Sequence, residues 1–242
     1  MTDALAAPRA VLDRMLRSLD RGGRPLVVVA SVQHTGTWFL VHLLRQHSML
    51  TSFAEFADLQ HPDTASHPMP SVVQFHLTGA GFRSRGDLDG VEGMLGDLAT
   101  RGVGIAIPVR DPVLSLLTRR RRHPDLDHSF IVDGFRRISI LPYVMPVSFL
   151  PVGIDADCVE FFGKLGIALG GDDLKRVVGV SKARPVINSS GMDDVTREYL
   201  EGRVGPVIEA LPREMDRLFA MREIVVPFLK NLGFGEQPWW SA

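Results

Sequence analysis

An unbroken apolar run, Leu26–Ala30, is followed by a short polar turn and then by apolar residues at helical spacing from Trp38 to Leu44. A strand that is apolar at every position is typical of a parallel sheet buried on both faces. A strand, a tight turn and a helix in this order can form an anion cradle, because backbone N–H groups and the helix N-terminus converge there. An ordinary strand-to-helix turn fits this stretch equally well. It is not a Walker A loop, since the G-x-x-x-x-G-K-[ST] pattern is missing.

The rest of the chain alternates strand and helix patterns, which predicts a parallel sheet covered on both faces. Further strands are predicted at Ser71–Leu77, Gly102–Val109 and Val144–Val152, the last near a sheet edge or with Pro146 near its start. Helices are predicted at Ala10–Leu19, Leu88–Leu98, Pro112–Arg121, Asp157–Leu169, Asp193–Leu211 (interrupted near Gly202 and Gly205) and Pro212–Leu232. The stretch Met49–Pro70 is expected to be irregular, as a surface excursion or as a lid over a substrate.

Composition narrows the class of protein. The chain has 242 residues, of which 45% are hydrophobic and 23% charged, enough for one α/β domain over residues 1–242. Its 27 basic and 28 acidic side chains nearly balance, which weighs against nucleic-acid binding. A single cysteine, Cys158, excludes an internal disulfide. The sequence has no signal-peptide pattern and no apolar run of membrane-spanning length, so we expect a cytoplasmic enzyme without a membrane partner.

Polar side chains follow three of the predicted strands. Because ligands of open α/β sheets bind beyond the carboxyl ends of the strands, these side chains are candidates for one site. They are His34, Thr35, Gly36 and Thr37 after the first strand, His76 at the end of the second, and Arg110 after the third, with Thr118 two helical turns later. An anion cradle, an imidazole and a guanidinium together suggest a transferase that uses a phosphorylated cofactor. No metal-binding spacing is present.

These motifs resemble, in their order, those of the sulfotransferases that use 3′-phosphoadenosine 5′-phosphosulfate (PAPS). The family's [KR]-S-G-T-T-W loop corresponds to His34–Phe39, and its T-H-L-P strand end to Phe75-His76-Leu77. An arginine before Asp/Asn-Pro, with a serine eight positions after the arginine, corresponds to Arg110-Asp111-Pro112 and Thr118. The F-L-G helix end corresponds to Phe161–Gly166, and the late basic loop to Lys182–Gly191.

The resemblance implies a P-loop-like α/β domain with a central parallel β-sheet flanked by helices on both faces. It implies transfer of a sulfuryl group from PAPS to a hydroxyl, or as second choice an amine, of a small molecule or saccharide, leaving adenosine 3′,5′-bisphosphate (PAP). His76 would be the general base. The donor would be bound by His34, Thr35, Gly36, Thr37 and Trp38, with the 3′-phosphate held by Arg110, Thr118, Lys182 and Arg184. No metal is required.

One position departs from the family pattern, because His34 stands where the family has lysine or arginine. The unperturbed pKa of histidine is about 6.5, so its imidazole is only partly cationic at neutral pH. The adjacent phosphosulfate would favour the protonated form, so that His34 replaces the family's cation. Alternatively, Lys182 or Arg184 supplies the charge. A third possibility is an inactive nucleotide-binding module.

A nucleotide-dependent kinase is the alternative enzyme class. The loop lacks a lysine followed by serine or threonine, and no obvious carboxylate for magnesium follows a strand, so both features weigh against it. For the acceptor, the sequence predicts a partly apolar pocket lined by Phe53, Phe56, Phe82, Phe130 and Tyr143. Of the four consecutive arginines at 119–122, not all can face one site, because neighbouring helical residues point about 100° apart.

Overall fold

A five-stranded parallel sheet forms the centre of the protein. The computed structural model describes residues 6–21, 26–32, 34–61, 63, 66–77, 85–141, 145–148, 155–182 and 192–242. The strands are β1 Val27–Ser31, β2 Phe53–Glu55, β3 Val72–His76, β4 Gly104–Val109 and β5 Met145–Ser148. They lie in the order β2-β3-β1-β4-β5, and all four pairings are parallel. The predicted fold class, a parallel α/β sheet, is therefore confirmed.

Twelve helices surround the sheet in the part of the chain that the structure describes. Their bounds are α1 Ala6–Asp20, α2 Thr37–Leu44, α3 Phe56–Leu59, α4 Arg85–Thr100, α5 Pro112–Arg122, α6 Ser129–Ile138, α7 Asp155–Lys164, α8 Gly171–Lys182, α9 Asp194–Leu200, α10 Gly205–Ala210, α11 Pro212–Ala220 and α12 Arg222–Asn231. A final 3₁₀ turn spans Pro238–Trp240. None of the helices described is long and apolar enough to cross a membrane.

Both faces of the sheet are covered by helices. Successive side chains of a strand point to opposite sides, so alternate residues of β1 enter two different cores. Val28 and Ala30 of β1 belong to a core that also contains side chains of α1, α4, α5, α6 and the C-terminal helices. Val27 and Val29 belong to a second core with side chains of α2, α7 and α8. Burial on both sides explains why the sequence of β1 is apolar throughout.

The strand β2 and the helices α3, α6 and α8 were not predicted from the sequence. The stretch Met49–Pro70, expected to be irregular, contains β2 and α3, and Phe56 is buried with its ring 4.8 Å from that of Phe75. A three-residue edge strand is too short to produce a recognisable alternation. Helix α8 begins at Gly171, two residues after the predicted end of a helix at Leu169, and Asp172 and Asp173 in its first turn favour helix formation there.

The later helices follow the prediction more closely. The break near Gly202 and Gly205 is confirmed, since it separates α9 from α10. The segment 212–232 is divided at Met221 into α11 and α12, with Pro227 inside α12.

The fourth predicted strand appears as β5 at a sheet edge, as Pro146 indicated. Helix α7 ends at Lys164, five residues before the predicted end, at a turn in which Gly166 has a φ of 73°.

Candidate functional site

The three groups of polar residues lie at the same edge of the sheet. β3, β1 and β4 are adjacent, and their carboxyl ends lead to His76, to the loop after Ser31 and to Arg110. Ser31 is the register partner of His76, and the N–H of Leu77 donates to the Ser31 carbonyl at 2.8 Å. The parallel register therefore places the imidazole beside the start of the β1–α2 loop.

The β1–α2 loop has the backbone shape of a cradle. Thr35 is buried and its hydroxyl donates to the Val32 carbonyl at 2.7 Å, which fixes the turn. His34 has a φ of 64° and Gly36 a φ of 103°, both in the left-handed region that non-glycine residues rarely adopt. Gly36 is the N-cap of α2 and has no side chain, so no side-chain oxygen caps the N–H groups of the first turn. An anion at this position would accept hydrogen bonds from them.

Trp38 lies at the mouth of this loop. Its side chain is 63% exposed, so it is not part of the core. Its ring centroid lies 5.6 Å from that of Phe53 at the start of β2. The two rings form an apolar contact between the start of α2 and the start of β2, and the exposed Trp38 ring is of a kind that can pack against a planar ligand.

His76 is held through both ring nitrogens. Nδ1 lies 3.1 Å from the Ser31 hydroxyl oxygen and Nε2 lies 2.9 Å from the Gln74 amide nitrogen. Burial lowers the pKa of His76, and the Glu55 carboxylate partly offsets this by raising it. The imidazole is therefore neutral near pH 7, which is the state a general base requires.

Arg110 follows β4 and lies against α5. Its Nη1 is 3.5 Å from the Thr118 hydroxyl oxygen, at the outer limit of a hydrogen bond, and that hydroxyl donates to the Leu114 carbonyl at 2.7 Å. Burial lowers the pKa of Arg110, but a guanidinium remains charged in proteins. The predicted pair, Arg110 and Thr118, therefore presents a charged fork and a hydroxyl to the same place.

Asp111, next to Arg110, is a buried N-cap. Its Oδ1 accepts hydrogen bonds from the N–H of Val113 at 2.9 Å and from the indole N–H of Trp239 at 3.2 Å. Its Oδ2 accepts from the hydroxyl of Tyr199. Burial raises the pKa of Asp111 to about 6 in spite of these donors. Asp111 therefore holds the start of α5 and does not face the cradle.

One face of α5 lies against the β1–α2 loop. The buried Ser115 hydroxyl lies 3.5 Å from the His34 carbonyl oxygen. Burial, followed by the positive charges of Arg122 and Arg119, lowers the pKa of His34 to about 4. His34 is therefore less cationic in the ligand-free protein than its unperturbed pKa indicates, and its protonation by a bound phosphosulfate stays a prediction. Arg120 lies elsewhere, 3.9 Å from Asp193 in an ion pair.

The remaining predicted site residues are less well placed. Lys182 is the exposed last residue of α8 and not the first of a loop, and Arg184 lies outside the described residues. Phe56 belongs to the core, so its predicted place in an acceptor pocket is wrong. Phe82 and Tyr143 also lie outside the described residues. The described side chains contain no group of three or more His, Cys, Asp or Glu that could hold a metal ion.

Sequence reasoning missed the residues that position the site. Ser115 and Trp239 carry no motif, because their partners His34 and Asp111 are distant in the chain. Gln74 lies two residues before His76 on the same strand, but no motif marks it. The one available signal was periodicity: Ser115 lies one turn after Asp111 and one turn before Arg119, on a helix otherwise apolar in its first half.

A cleft of about 940 Å³ opens at the other end of the sheet. Leu26, Ser52 and Pro70 line it, and they immediately precede β1, β2 and β3 or lie within two residues of them. It therefore lies at the amino ends of the strands, away from His34, His76 and Arg110. Ligands of parallel α/β sheets bind at the opposite end, so we place the functional site at the carboxyl edge.

Comparisons with known proteins do not identify the family of this chain. No protein-family model matches the chain, and no curated protein matches it. Among solved structures, the chain is similar to mouse sulfotransferase SULT7A1 complexed with PAP, with a TM-score of 0.48 and 12% identity over 91% of this chain and 94% of that one. Similarity at this level decides neither ligand nor activity, which rest on the geometry of the site.

Proposed function

We propose that the protein is a PAPS-dependent sulfotransferase. The observation that carries this proposal is the convergence of three parts at one sheet edge: the cradle at residues 34–37, the neutral His76 and the Arg110–Thr118 pair. A donor with phosphate groups at both ends of a nucleoside requires two separate anion sites. An acceptor hydroxyl requires a base beside the first of them.

The reaction is an in-line displacement at sulfur. The acceptor oxygen forms a bond to sulfur while the bond from sulfur to the bridging phosphate oxygen breaks, and the electron pair of that bond leaves with the 5′-phosphate of PAP. The acceptor proton moves to His76. General-base catalysis of this kind contributes about 10²–10⁴ to the rate. The lowered pKa of His76 keeps it unprotonated and ready to accept that proton.

The loop residues bind the donor in this proposal. Backbone N–H groups of the first turn of α2 and the hydroxyl of Thr37 donate to the 5′-phosphosulfate, together with Thr35 and Gly36 of the turn. His34 donates a hydrogen bond as a neutral imidazole, since its Nε2 is buried without a partner among the described residues. Trp38 packs against the adenine ring.

The second anion site binds the 3′-phosphate. Arg110 and Thr118 hold it from the end of β4 and from α5. We assign Lys182 and Arg184 to the same phosphate. The acceptor is a small molecule or saccharide with an apolar part, and Phe53 beside Trp38 supports that class. We place the enzyme in the cytoplasm, with residues 1–242 as one sulfotransferase domain.

Thermal unfolding with nucleotides tests the proposal. PAP at 1 mM is expected to raise the melting temperature without added metal, because binding to the native state stabilises it. ATP with magnesium serves as the comparison. A shift with magnesium-ATP alone would support a kinase. A shift with PAP but no sulfate transfer from PAPS to a panel of phenols, alcohols, sugars and amines would support an inactive module.

A further inference from the structure

We infer that Arg119 and Arg122 of α5 provide the positive charge for the departing 5′-phosphate, in place of a cation on the β1–α2 loop. This inference rests on the proposed function and adds two residues to its site. When the sulfur–oxygen bond breaks, its electron pair stays on the oxygen of the 5′-phosphate. The two guanidinium groups neutralise the negative charge that develops there.

The geometry of α5 supports the inference. Ser115, Arg119 and Arg122 are separated by four and three positions, so they lie on one face of the helix. Ser115 touches the loop directly, with its hydroxyl 3.5 Å from the His34 carbonyl oxygen. The same face therefore directs the two arginines toward the loop. Arg120 points about 100° away from Arg119, and it pairs with Asp193.

The burial and the hydrogen bonding of the Arg119 side chain also support the inference. Its Nε is buried and has no hydrogen-bond partner among the described residues. Its guanidinium carbon lies 5.7 Å from the centroid of the Phe130 ring, which restricts the side chain. Neither Arg119 nor Arg122 forms an ion pair with a carboxylate in the described part of the chain. Two such cations on one helix face form a binding site for a multiply charged anion.

The charge state of the loop explains why a cation from α5 is needed. The pKa of His34 is about 4, and Arg122 and Arg119 are among the causes of its lowering. The groups that act on it are those two arginines, His123 and Arg110, all of which repel a proton. In the protein without ligand, His34 is therefore mainly neutral near pH 7, while the arginines of the helix beside it are charged.

Binding of two nucleotide fragments tests the inference. Calorimetric titration with adenosine 5′-monophosphate and adenosine 3′-monophosphate separates the two anion sites. In R119A and R122A we expect the affinity for the 5′-monophosphate to fall by about tenfold or more, while that for the 3′-monophosphate changes little, because a charge-assisted hydrogen bond is lost at one site only. Arg120→Ala is the matched control, and neither affinity should change in it.

A rescue experiment adds a catalytic readout. PAP release from PAPS with 2-naphthol as acceptor should slow by about 10²-fold in R119A, comparable to the loss of one preorganised donor. Adding His34→Lys to R119A should restore at least part of this loss, because it returns a cation to the loop. A helix that merely folds poorly would not be rescued in this way.

The outcomes are distinct. If R119A and R122A behave like R120A while PAP stabilises the wild-type protein, the inference is wrong and the proposed function stands. If both variants lose affinity for both monophosphates equally, the arginines act only on folding or on the general field, and the inference is also wrong. If PAP does not bind the wild-type protein, both proposals fail.

Discussion

The indole N–H of Trp239 donates a hydrogen bond to the carboxylate of Asp111 across 3.2 Å, although 128 positions separate the two residues. Trp239 is fully buried, and its turn closes the C-terminal end of the chain against the start of α5. Asp111 in turn holds the backbone immediately after Arg110. The last residues of the chain therefore fix the position of a proposed phosphate-binding arginine.

Replacing Trp239 tests this contact. Trp239→Phe should lower the free energy of unfolding by about 1–3 kcal/mol, because a buried carboxylate loses a donor. Trp240→Phe is the control: its indole N–H has no partner among the described residues, so removing it should cost less. Urea unfolding of both variants measures the difference. If both variants lose the same free energy of unfolding, the loss comes from the smaller ring and not from the hydrogen bond to Asp111.

The same contact should depend on pH. The pKa of Asp111 is raised to about 6 from 3.8, so the stability this group contributes is full below 3.8 and is lost as the pH rises through 6. Above that pH the bond from Trp239 goes to a charged carboxylate and is stronger. The cost of Trp239→Phe should therefore be larger at pH 8 than at pH 5. A cost independent of pH would contradict a charged partner.

His76 is expected to act in the chemical step and not in donor binding. His76→Ala should reduce sulfuryl transfer by about 10²-fold or more and leave the PAP dissociation constant nearly unchanged. His42→Ala, an exposed histidine on α2, controls for loss of an imidazole near the site. Transfer assays and calorimetry give the two quantities. Parallel loss of both would make His76 a structural residue.

Glu55 provides a sharper test of the same imidazole. Its carboxylate raises the pKa of His76, so Glu55→Gln should lower that pKa further. The acid limb of the pH–rate profile then moves to lower pH, and the plateau rate falls because the base is weaker. Asp58→Asn, an exposed carboxylate on α3, is the control. A limb that stays in place, or moves to higher pH, would exclude His76 as the group that titrates.

Arg110 and Thr118 are expected to recognise the 3′-phosphate. In Arg110→Ala, the preference for PAP over adenosine 5′-monophosphate should fall by about 10- to 100-fold, because a charged hydrogen bond to phosphate is lost. Thr118→Val should reduce it less. Competition binding with the two nucleotides measures the preference. Arg120→Ala should leave it unchanged, and loss of affinity for both nucleotides together would place Arg110 elsewhere.

The parts of the fold that are local in sequence were predictable. The apolar run of β1, the polar turn and α2 follow from about twenty consecutive residues, and the parallel topology follows from alternation of strands and helices. β2 was missed because three residues carry too little pattern, and α8 because glycine at its first position, Gly171, is more typical of a helix end.

The electrostatics of the site were not predictable. The charge on His34 depends on which face of α5 meets the loop and on how deeply the imidazole is buried, and neither is visible in the sequence. The same holds for Arg119 to Arg122: their order in the chain gives no reason to prefer Arg119 and Arg122 over Arg120. The packing of Ser115 against His34 in the structure shows which face of α5 meets the loop.

The two hydrogen bonds of His76 have a consequence for substrate entry. Since Ser31 and Gln74 occupy both ring nitrogens, an incoming hydroxyl reaches the imidazole only by displacing one of them. A molecule that makes additional contacts nearby can compensate for that exchange, whereas a lone water molecule makes no such contacts. In the proposed reaction, this competition would protect the activated sulfate from wasteful hydrolysis before an acceptor arrives.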